Sequence, residues 1–162
     1  MVLTEIKNFV PFIQSTPPTP DCRYEISEII PGLFLGGEET AKNKNKLKEL
    51  GITTIINMTE EISNFFVSDF TYYRFPLSDK PNCDIKNYFE DTYKIISYVL
   101  ENKQKILIHC YAGISRSATI VIAYIMKKNN MCMNDSLHFV QQKRSCISPN
   151  FGFCSQLILY EK

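Results

Sequence analysis

The amino-acid sequence predicts an α/β fold, with a central mixed, mostly parallel sheet of about five strands flanked by helices on both faces. Short runs of aliphatic and β-branched residues alternate along the chain with segments of helical periodicity. Strands separated by helices need crossover connections, which cover the faces of a sheet. The 162 residues suffice for one domain with its own core.

The strand predictions depend on apolar runs bounded by turn residues. "YEISEII" and "LFLGG" read as two short strands with Pro31 and Gly32 as the turn between them. "ITTIINM" is rich in β-branched residues and predicts a buried strand. "YYRFPL" and "KILIHC" complete the set of candidate strands.

The helix predictions combine apolar periodicity with end signals. Gly51 can end a lysine-rich helix, and Asp84 can cap a helix with one apolar stripe. The segment Ser117–Lys128 is apolar on nearly every side, which predicts a largely buried helix. Two more helices are expected to follow Asn134 and Asn150, each as its cap.

The N-terminal segment differs in composition from the rest of the chain. Residues 1–22 contain "PFIQSTPPTPDC", which predicts an extended proline-rich arm, and residues 23–162 are predicted to form the folded domain. The arm is either a plain extension or a docking motif for a proline-binding partner.

Composition and charge exclude several classes of binding partner. With 44% hydrophobic and 22% charged residues and a formal charge of +1, neither disorder nor nucleic-acid binding is expected. The longest apolar stretch, Ala118–Met126, is far shorter than the ~20 residues of a membrane span, so no membrane partner is expected. Since residues 1–10 lack a secretory signal, the six cysteines are expected to be reduced, in the cytoplasm with the nucleus as a second compartment.

The stretch "HCYAGISRSAT", residues 109–119, directly follows the apolar run 106–108. Cys110 would then lie at the carboxyl end of a strand, where ligands of such sheets bind, and the residues after it lead into a helix N-terminus. Gly113 lets successive amides turn inward as an anion-binding nest. Arg116 adds a planar fork of donors for phosphate oxygens, and its charge favours the thiolate form of Cys110.

This stretch resembles the motif of cysteine-dependent phosphatases, in which a cysteine, five residues, an arginine and a serine or threonine follow one another. Its Ala-Gly-x-Ser-Arg-Ser interior is similar to the dual-specificity protein phosphatases, as are the segments "IIPGLFLGG", "LKELGITTIINMT" and "KRSCISPNFGFCSQL". The resemblance implies a small stand-alone catalytic domain that hydrolyses phosphotyrosine and phosphoserine or phosphothreonine through a phosphocysteine intermediate.

The resemblance also implies roles for individual residues. Cys110 is the nucleophile, Ser117 assists its departure as thiolate, and His109 and Asn150 support the loop by hydrogen bonds. The phosphate is bound by the Arg116 side chain and by the loop amides, those of Tyr111, Ala112, Gly113, Ile114, Ser115 and Arg116. The sequence does not decide whether the Tyr111 side chain lines the pocket or covers the loop.

A phosphate ester also needs an acid to protonate its leaving oxygen. The upstream candidates are Asp69, Asp79, Asp84 and Asp91. Asp91 lies in a predicted helix, Asp84 serves as a cap, and Asp69 precedes a strand without turn residues around it. Asp79 lies on a proline-bounded loop in "PLSDKPNCD", and the resemblance agrees that the general acid comes from this segment.

Other functions remain as alternatives. A cysteine phosphatase acting on a lipid, a carbohydrate or an RNA 5′ end would share the loop, although this loop interior lacks the basic residues that phosphoinositide phosphatases tend to carry. A catalytically dead phosphopeptide-binding module and a rhodanese-like sulfurtransferase are further possibilities that the set Cys110, Arg116 and Asp79 disfavours. The favoured partner is a phosphoprotein, with a protein kinase as one candidate; the oligomeric state is left open.

No cofactor or metal is expected. Only His109 and His138 could supply imidazole, and the cysteines lack the spacing of a zinc site. One further hypothesis is that another cysteine traps oxidised Cys110 as a disulfide. Its candidates are Cys22, Cys83, Cys132, Cys146 and Cys154.

Overall fold

The computed structural model describes residues 20–161. The strands are β1 (Ser27–Ile30), β2 (Leu33–Gly36), β3 (Ile52–Asn57), β4 (Thr71–Arg74) and β5 (Lys105–His109). The helices are α1 (Glu38–Ala41), α2 (Lys44–Glu49), α3 (Phe89–Glu101), α4 (Arg116–Asn129), α5 (Met133–Lys143) and α6 (Phe151–Tyr160). Two 3₁₀ turns, Pro20–Arg23 and Ile85–Tyr88, precede β1 and α3.

The strands form one sheet in the order β1-β2-β5-β3-β4. β1 runs antiparallel to β2, and the other neighbours are parallel, which confirms the mostly parallel mixed sheet. His109 at the end of β5 pairs with Gly36 of β2 and with Asn57 of β3. The register therefore places the end of the central strand, and Cys110 after it, in the middle of the sheet's carboxyl edge.

Helices cover both faces of the sheet, as predicted. On one face α3, α4, α5 and α6 pack against alternate strand residues such as Leu35 and Ile108. On the other face α1 and α2 contribute Ala41 and Leu47 to a smaller apolar cluster with Leu107. α4 begins at the carboxyl edge of the sheet and is buried along most of its length, as its all-round apolar pattern predicted.

One predicted helix cap is wrong, one is right in position only, and two helix-end predictions are confirmed. Asn134 does not cap α5, because that helix begins one residue before it and Cys132 holds the cap position. Asp84 holds the cap position of the 3₁₀ turn that leads into α3, but its carboxylate accepts a hydrogen bond from the Asn87 side chain in place of a backbone amide. The Asn150 side chain does cap α6, and Gly51, at φ 77°, follows the end of α2.

The cysteines also depart from expectation. Cys22 and Cys146, 124 residues apart, form a disulfide, so the expectation of six reduced thiols is wrong for this pair. They meet because α5 packs on β1, which brings the loop after α5 to the residues before β1. Most of the predicted proline arm lies outside the described residues, and the domain boundary after residue 22 stays a prediction.

Within residues 20–161, no helix has both the length and the apolar character that crossing a membrane requires.

Candidate active site

The loop from Cys110 to Arg116, called here the phosphate loop, connects β5 to α4. Cys110 is 3% exposed at its start, and its Sγ lies 3.1 Å from the Ser117 hydroxyl oxygen. The hydroxyl can donate to a thiolate or stabilise it as it leaves. The sequence-predicted nucleophile and its predicted helper are thus in direct contact.

The carbonyl groups of the phosphate loop point away from its interior, and each is bound by a donor outside the loop's centre. The pairs are Tyr111 O with Glu38 N (2.8 Å), Ala112 O with Arg144 Nη2 (3.2 Å), Gly113 O with Arg144 Nε (2.9 Å), Ile114 O with Ser148 N (2.8 Å) and Ser115 O with Thr119 N (2.9 Å). A trans peptide holds each N–H antiparallel to the preceding C=O. Fixing the carbonyls outward therefore aims the loop amides inward.

These amides have no acceptor in the described part of the chain. No hydrogen bond there uses the backbone N–H of residues 111–116 as donor, which includes every amide that follows one of the outward carbonyls. Buried or crowded amides need a partner, and a run of converging N–H groups at a helix N-terminus suits an anion. The arrangement is a nest for an oxyanion above the Cys110 sulfur.

Glycines allow the phosphate loop to lie this close to the sheet. Gly113 has φ 68°, and a Cβ there would lie 2.6 Å from the Gly36 oxygen and 2.7 Å from Arg144 Nη2. A Cβ on Gly37 would lie 2.8 Å from the Tyr111 oxygen. Gly37, in the Gly36-Gly37 pair that the sequence marked only as a break after a strand, thus makes room for the loop, whereas a Cβ on Gly36 would collide with the Thr40 hydroxyl.

Arg116, 5% exposed, is held by Glu61. Its Nη1 and Nη2 donate to the two Glu61 carboxylate oxygens at 2.8 and 2.6 Å, and Nη1 also donates to the Leu77 carbonyl at 2.8 Å. The Nε–H is buried without a protein partner. Nε–H and the remaining Nη2–H lie along one edge of the guanidinium plane, which is the geometry for two oxygens of one phosphate.

The charges of the site reinforce one another. Burial acts to lower the pKa of Arg116, but hydrogen bonds to Glu61 and the charges of Cys110, Glu61 and Asp79 outweigh it and raise that pKa. The hydrogen bonds from Arg116 lower the pKa of Glu61. Arg116 therefore stays cationic beside the sulfur throughout the working pH range.

His109 is fully buried behind the nucleophile. Its Nδ1 lies 3.1 Å from the Cys110 carbonyl oxygen, and Nε2 has no hydrogen-bond partner in the described chain. The Nδ1–H donates to that carbonyl, which fixes the tautomer. Burial lowers the pKa of His109 to about 4, so the imidazole is neutral where the enzyme would work.

The predicted acid lies on an exposed loop, residues 78–84, called here the acid loop. Asp79 Oδ1 accepts hydrogen bonds from the Ser115 hydroxyl at 2.7 Å and from the Asn150 side-chain amide at 2.9 Å. The Asn150 backbone N–H donates to the same Ser115 hydroxyl at 3.0 Å. Asp79 is thereby placed against the phosphate loop, whereas the rejected candidates Asp69 and Asp84 bind Lys44 and Asn87 elsewhere.

Two residues of the site were missed by sequence reasoning. Glu61 lies 55 positions before Arg116, and Arg144 lies 31 positions after Gly113. Glu61 sits in a stretch without regular structure, and Arg144 sits at the end of a helix, directly after Lys143. No local pattern distinguishes either from a surface charge.

Comparison with known proteins bears on this arrangement. The family model described as "Dual specificity phosphatase, catalytic domain" matches residues 33–162. The chain belongs to the dual specificity phosphatase family. It is 44% identical over 137 residues to a "Probable rhodanese domain-containing dual specificity protein phosphatase" of Dictyostelium discoideum, covering 84% of this chain and 29% of that protein. It is 40% identical over 134 residues to human "Dual specificity protein phosphatase 1", covering 83% of this chain and 36% of the relative.

A solved structure agrees with the family assignment. The human tyrosine phosphatase-like serine/threonine/tyrosine-interacting protein matches with a TM-score of 0.82 and 41% identity, over 86% of this chain and 97% of that one. The chain spans about a third of the length of the curated relatives it matches. The similarity therefore concerns the catalytic domain of those relatives.

Proposed function

We propose that the protein is a dual-specificity protein phosphatase that hydrolyses phosphotyrosine and phosphoserine or phosphothreonine through a phosphocysteine intermediate. One observation carries this proposal: the carbonyls of residues 111–115 are all bound by donors outside the loop, while the loop amides and Arg116 Nε, which follow Cys110, have no acceptor among residues 20–161. Family membership supports the same reaction.

The first half-reaction follows from the geometry. The Cys110 thiolate attacks phosphorus, so that an S–P bond forms as the bond from phosphorus to the leaving oxygen breaks. The inward amides and the free edge of Arg116 stabilise the three equatorial oxygens. Asp79, protonated, gives its proton to the leaving oxygen.

The second half-reaction returns the enzyme to its starting state. Water attacks the phosphocysteine, Asp79 takes the proton, and inorganic phosphate forms as the S–P bond breaks. Ser117 Oγ, 3.1 Å from the sulfur, donates to the departing thiolate. Asp79 ends protonated and ready for another cycle.

The surroundings of the pocket favour a phosphorylated protein. Tyr111 is 49% exposed at the rim, and no cationic side chain projects from the loop interior between residues 111 and 115. An exposed ring at the rim can contact either a phosphotyrosine ring or the peptide beside a shorter phosphorylated residue. A phosphorylated protein kinase is one candidate substrate, and the cytoplasm with the nucleus is the proposed location.

Hydrolysis assays test the proposal. Phosphate release is measured from an aryl phosphate, from tyrosine-, serine- and threonine-phosphorylated peptides, and from a phosphoinositide and an RNA 5′ phosphate. Cys110→Ser is expected to lower turnover at least ~10⁴-fold while still binding oxyanions. Cys132→Ser, at an exposed free cysteine, is the matched control.

The outcomes separate the alternatives. Release from phosphopeptides that depends on Cys110 supports the proposal, whereas a preference for the lipid or RNA substrate would replace it. A wild-type chain that binds phosphopeptides and turns over no substrate would identify a binding module and contradict the proposed activity.

A further inference from the structure

A second buried arginine lies behind the phosphate loop. Arg144, just after α5, is 3% exposed, and its nitrogens donate to the carbonyls of Ala112 and Gly113 on one side. On the other side they donate to Cys22 O at 2.7 Å, Glu25 O at 2.9 Å and the Ser27 hydroxyl at 3.2 Å. Each of these five hydrogen bonds, which join Arg144 to residues between 22 and 113, ends on a neutral oxygen.

This environment is unusual for a charged group. Among the side chains that the structure describes, those of residues 22–161, no carboxylate forms a salt bridge with Arg144. Burial lowers the pKa of Arg144, and the negative charges of Cys110 and Glu25 act against that effect through space. A buried cation without a bonded anion is costly to fold, and a neutral side chain of similar size would avoid that cost. An arginine at this position therefore favours a function that uses the charge or the fork of donors.

The geometry indicates what that function is. The carbonyl of Ala112 shares a peptide plane with the amide of Gly113, and the carbonyl of Gly113 shares one with the amide of Ile114. In a trans peptide the C=O and N–H point in opposite directions. By drawing these two carbonyls outward, the guanidinium turns the following N–H groups toward the oxyanion. Its charge on the outer side also polarises these peptides, which strengthens their amides as donors.

We propose that Arg144 is a positioning residue of the phosphate loop, which aims the amides of Gly113 and Ile114 and adds positive potential at the Cys110 thiolate. The proposal rests on the proposed phosphatase function. Arg144 contacts no substrate: Arg116 grips the phosphate from within the loop, and Arg144 holds the loop's outer surface.

Two variants of Arg144 separate geometry from charge. Arg144→Met removes both the fork and the charge at similar volume, and Arg144→Lys keeps the charge but cannot bind both carbonyls. Three quantities are measured on each: the inhibition constant for vanadate, kcat and KM on an aryl phosphate, and the rate of Cys110 alkylation by iodoacetamide at one fixed pH.

Arg144→Met is expected to weaken vanadate inhibition up to ~100-fold, raise KM, and slow alkylation because the thiolate loses a nearby cation. Arg144→Lys is expected to weaken vanadate inhibition at least ~10-fold while its alkylation rate stays near wild type. A vanadate constant within twofold of wild type in Arg144→Lys would overturn the proposal, whether or not Arg144→Met folds.

Two controls exclude a purely structural role. Ser27→Ala removes one hydrogen bond on the far side of Arg144, and Val99→Ala lowers stability from the buried face of α3. Both are expected to keep the wild-type vanadate constant. Val99→Ala is compared with Arg144→Lys under conditions in which the two variants lose the same amount of melting temperature. If Val99→Ala then weakened vanadate inhibition as much as Arg144→Lys, the positioning role would be rejected. Failure of the phosphatase proposal itself would instead appear as an inactive wild-type chain.

Discussion

The phosphate loop and the acid loop meet at Ser115, yet they are held in opposite ways. Residues 110 and 113 of the phosphate loop are buried, and its backbone carbonyls are bound by Glu38, Arg144, Ser148 and Thr119. Asp79 of the acid loop is exposed, and the contacts that place its carboxylate come from two side chains, Ser115 and Asn150.

This difference matches what each loop has to do. Stabilising charge on a trigonal phosphorus needs several donors fixed in advance, and backbone tied to a rigid core provides them. Delivering a proton needs one carboxyl group beside the leaving oxygen. The rate gained from that proton depends on how acidic the leaving group is. The two loops should therefore respond differently to substitution, to acid and to the choice of substrate.

Among the variants that leave the nucleophile in place, removal of the acid has the largest expected effect. Asp79→Ala should lower kcat by ~10²–10⁴ on an alkyl phosphate, since the departing alkoxide then receives no proton. The loss should be much smaller on an aryl phosphate with an acidic leaving group, and vanadate inhibition should persist because the phosphate loop is intact. Asp84→Ala, on the same loop, is the control. Equal losses on both substrates would show that Asp79 supports binding and is not the acid.

Acid should lower the stability of the folded domain through His109, which lies behind the phosphate loop. His109 has a pKa of about 4 in the folded protein against 6.5 when unfolded, so the unfolded chain binds the extra proton first. Its stabilising contribution is full above pH 6.5 and is lost as the pH falls to about 4, by about 3 kcal/mol in the free energy of unfolding. Urea titrations across this range measure it.

The variant His109→Asn tests the assignment of this acid effect. It should flatten the pH dependence between 6.5 and 4, whereas His138→Gln, at an exposed position on α5, should leave it unchanged. A wild-type slope retained in His109→Asn would place the acid sensitivity elsewhere.

Glu61 holds Arg116 of the phosphate loop from outside that loop. Glu61→Gln keeps the size but loses the paired charge, so Arg116 should be less firmly oriented and KM should rise about 10-fold, or ~1.4 kcal/mol. Glu60→Gln is the neighbouring control, because its side chain binds Ser78 and not Arg116. A lower KM in Glu61→Gln would mean that Glu61 competes with the phosphate for Arg116.

The sequence could predict the features that depend on local patterns and could not predict those that depend on distant contacts. The sheet, the helices on both faces and the family were predicted correctly, because apolar periodicity and the stretch 109–119 are local patterns. The predicted contact of Cys110 with Ser117 is present for the same reason. Glu61 and Arg144 escaped notice because only the fold brings them to the loop. The Cys22–Cys146 disulfide was missed on similar grounds, since its partners lie 124 positions apart.

The smallest expected effect comes from the packing of the acid loop against α6, which tests whether the two loops are held independently. Gly152 lies against the Pro81 backbone, so closely that any added Cβ would collide with the Pro81 oxygen. Gly152→Ala should push Pro81 away from α6 by roughly 1 Å. The exposed acid loop should take up most of this shift before Asp79, so kcat on an alkyl phosphate should fall about fivefold, well below the ~10²-fold cost of displacing the acid itself by 1 Å. Vanadate inhibition should not change, because no phosphate-loop carbonyl depends on α6. Ser155→Ala, exposed on the same helix, controls for effects on α6 itself. If Gly152→Ala weakened vanadate inhibition as much as turnover, a shift of the acid loop would also displace the phosphate loop. The conclusion that the two loops are held independently would then be wrong.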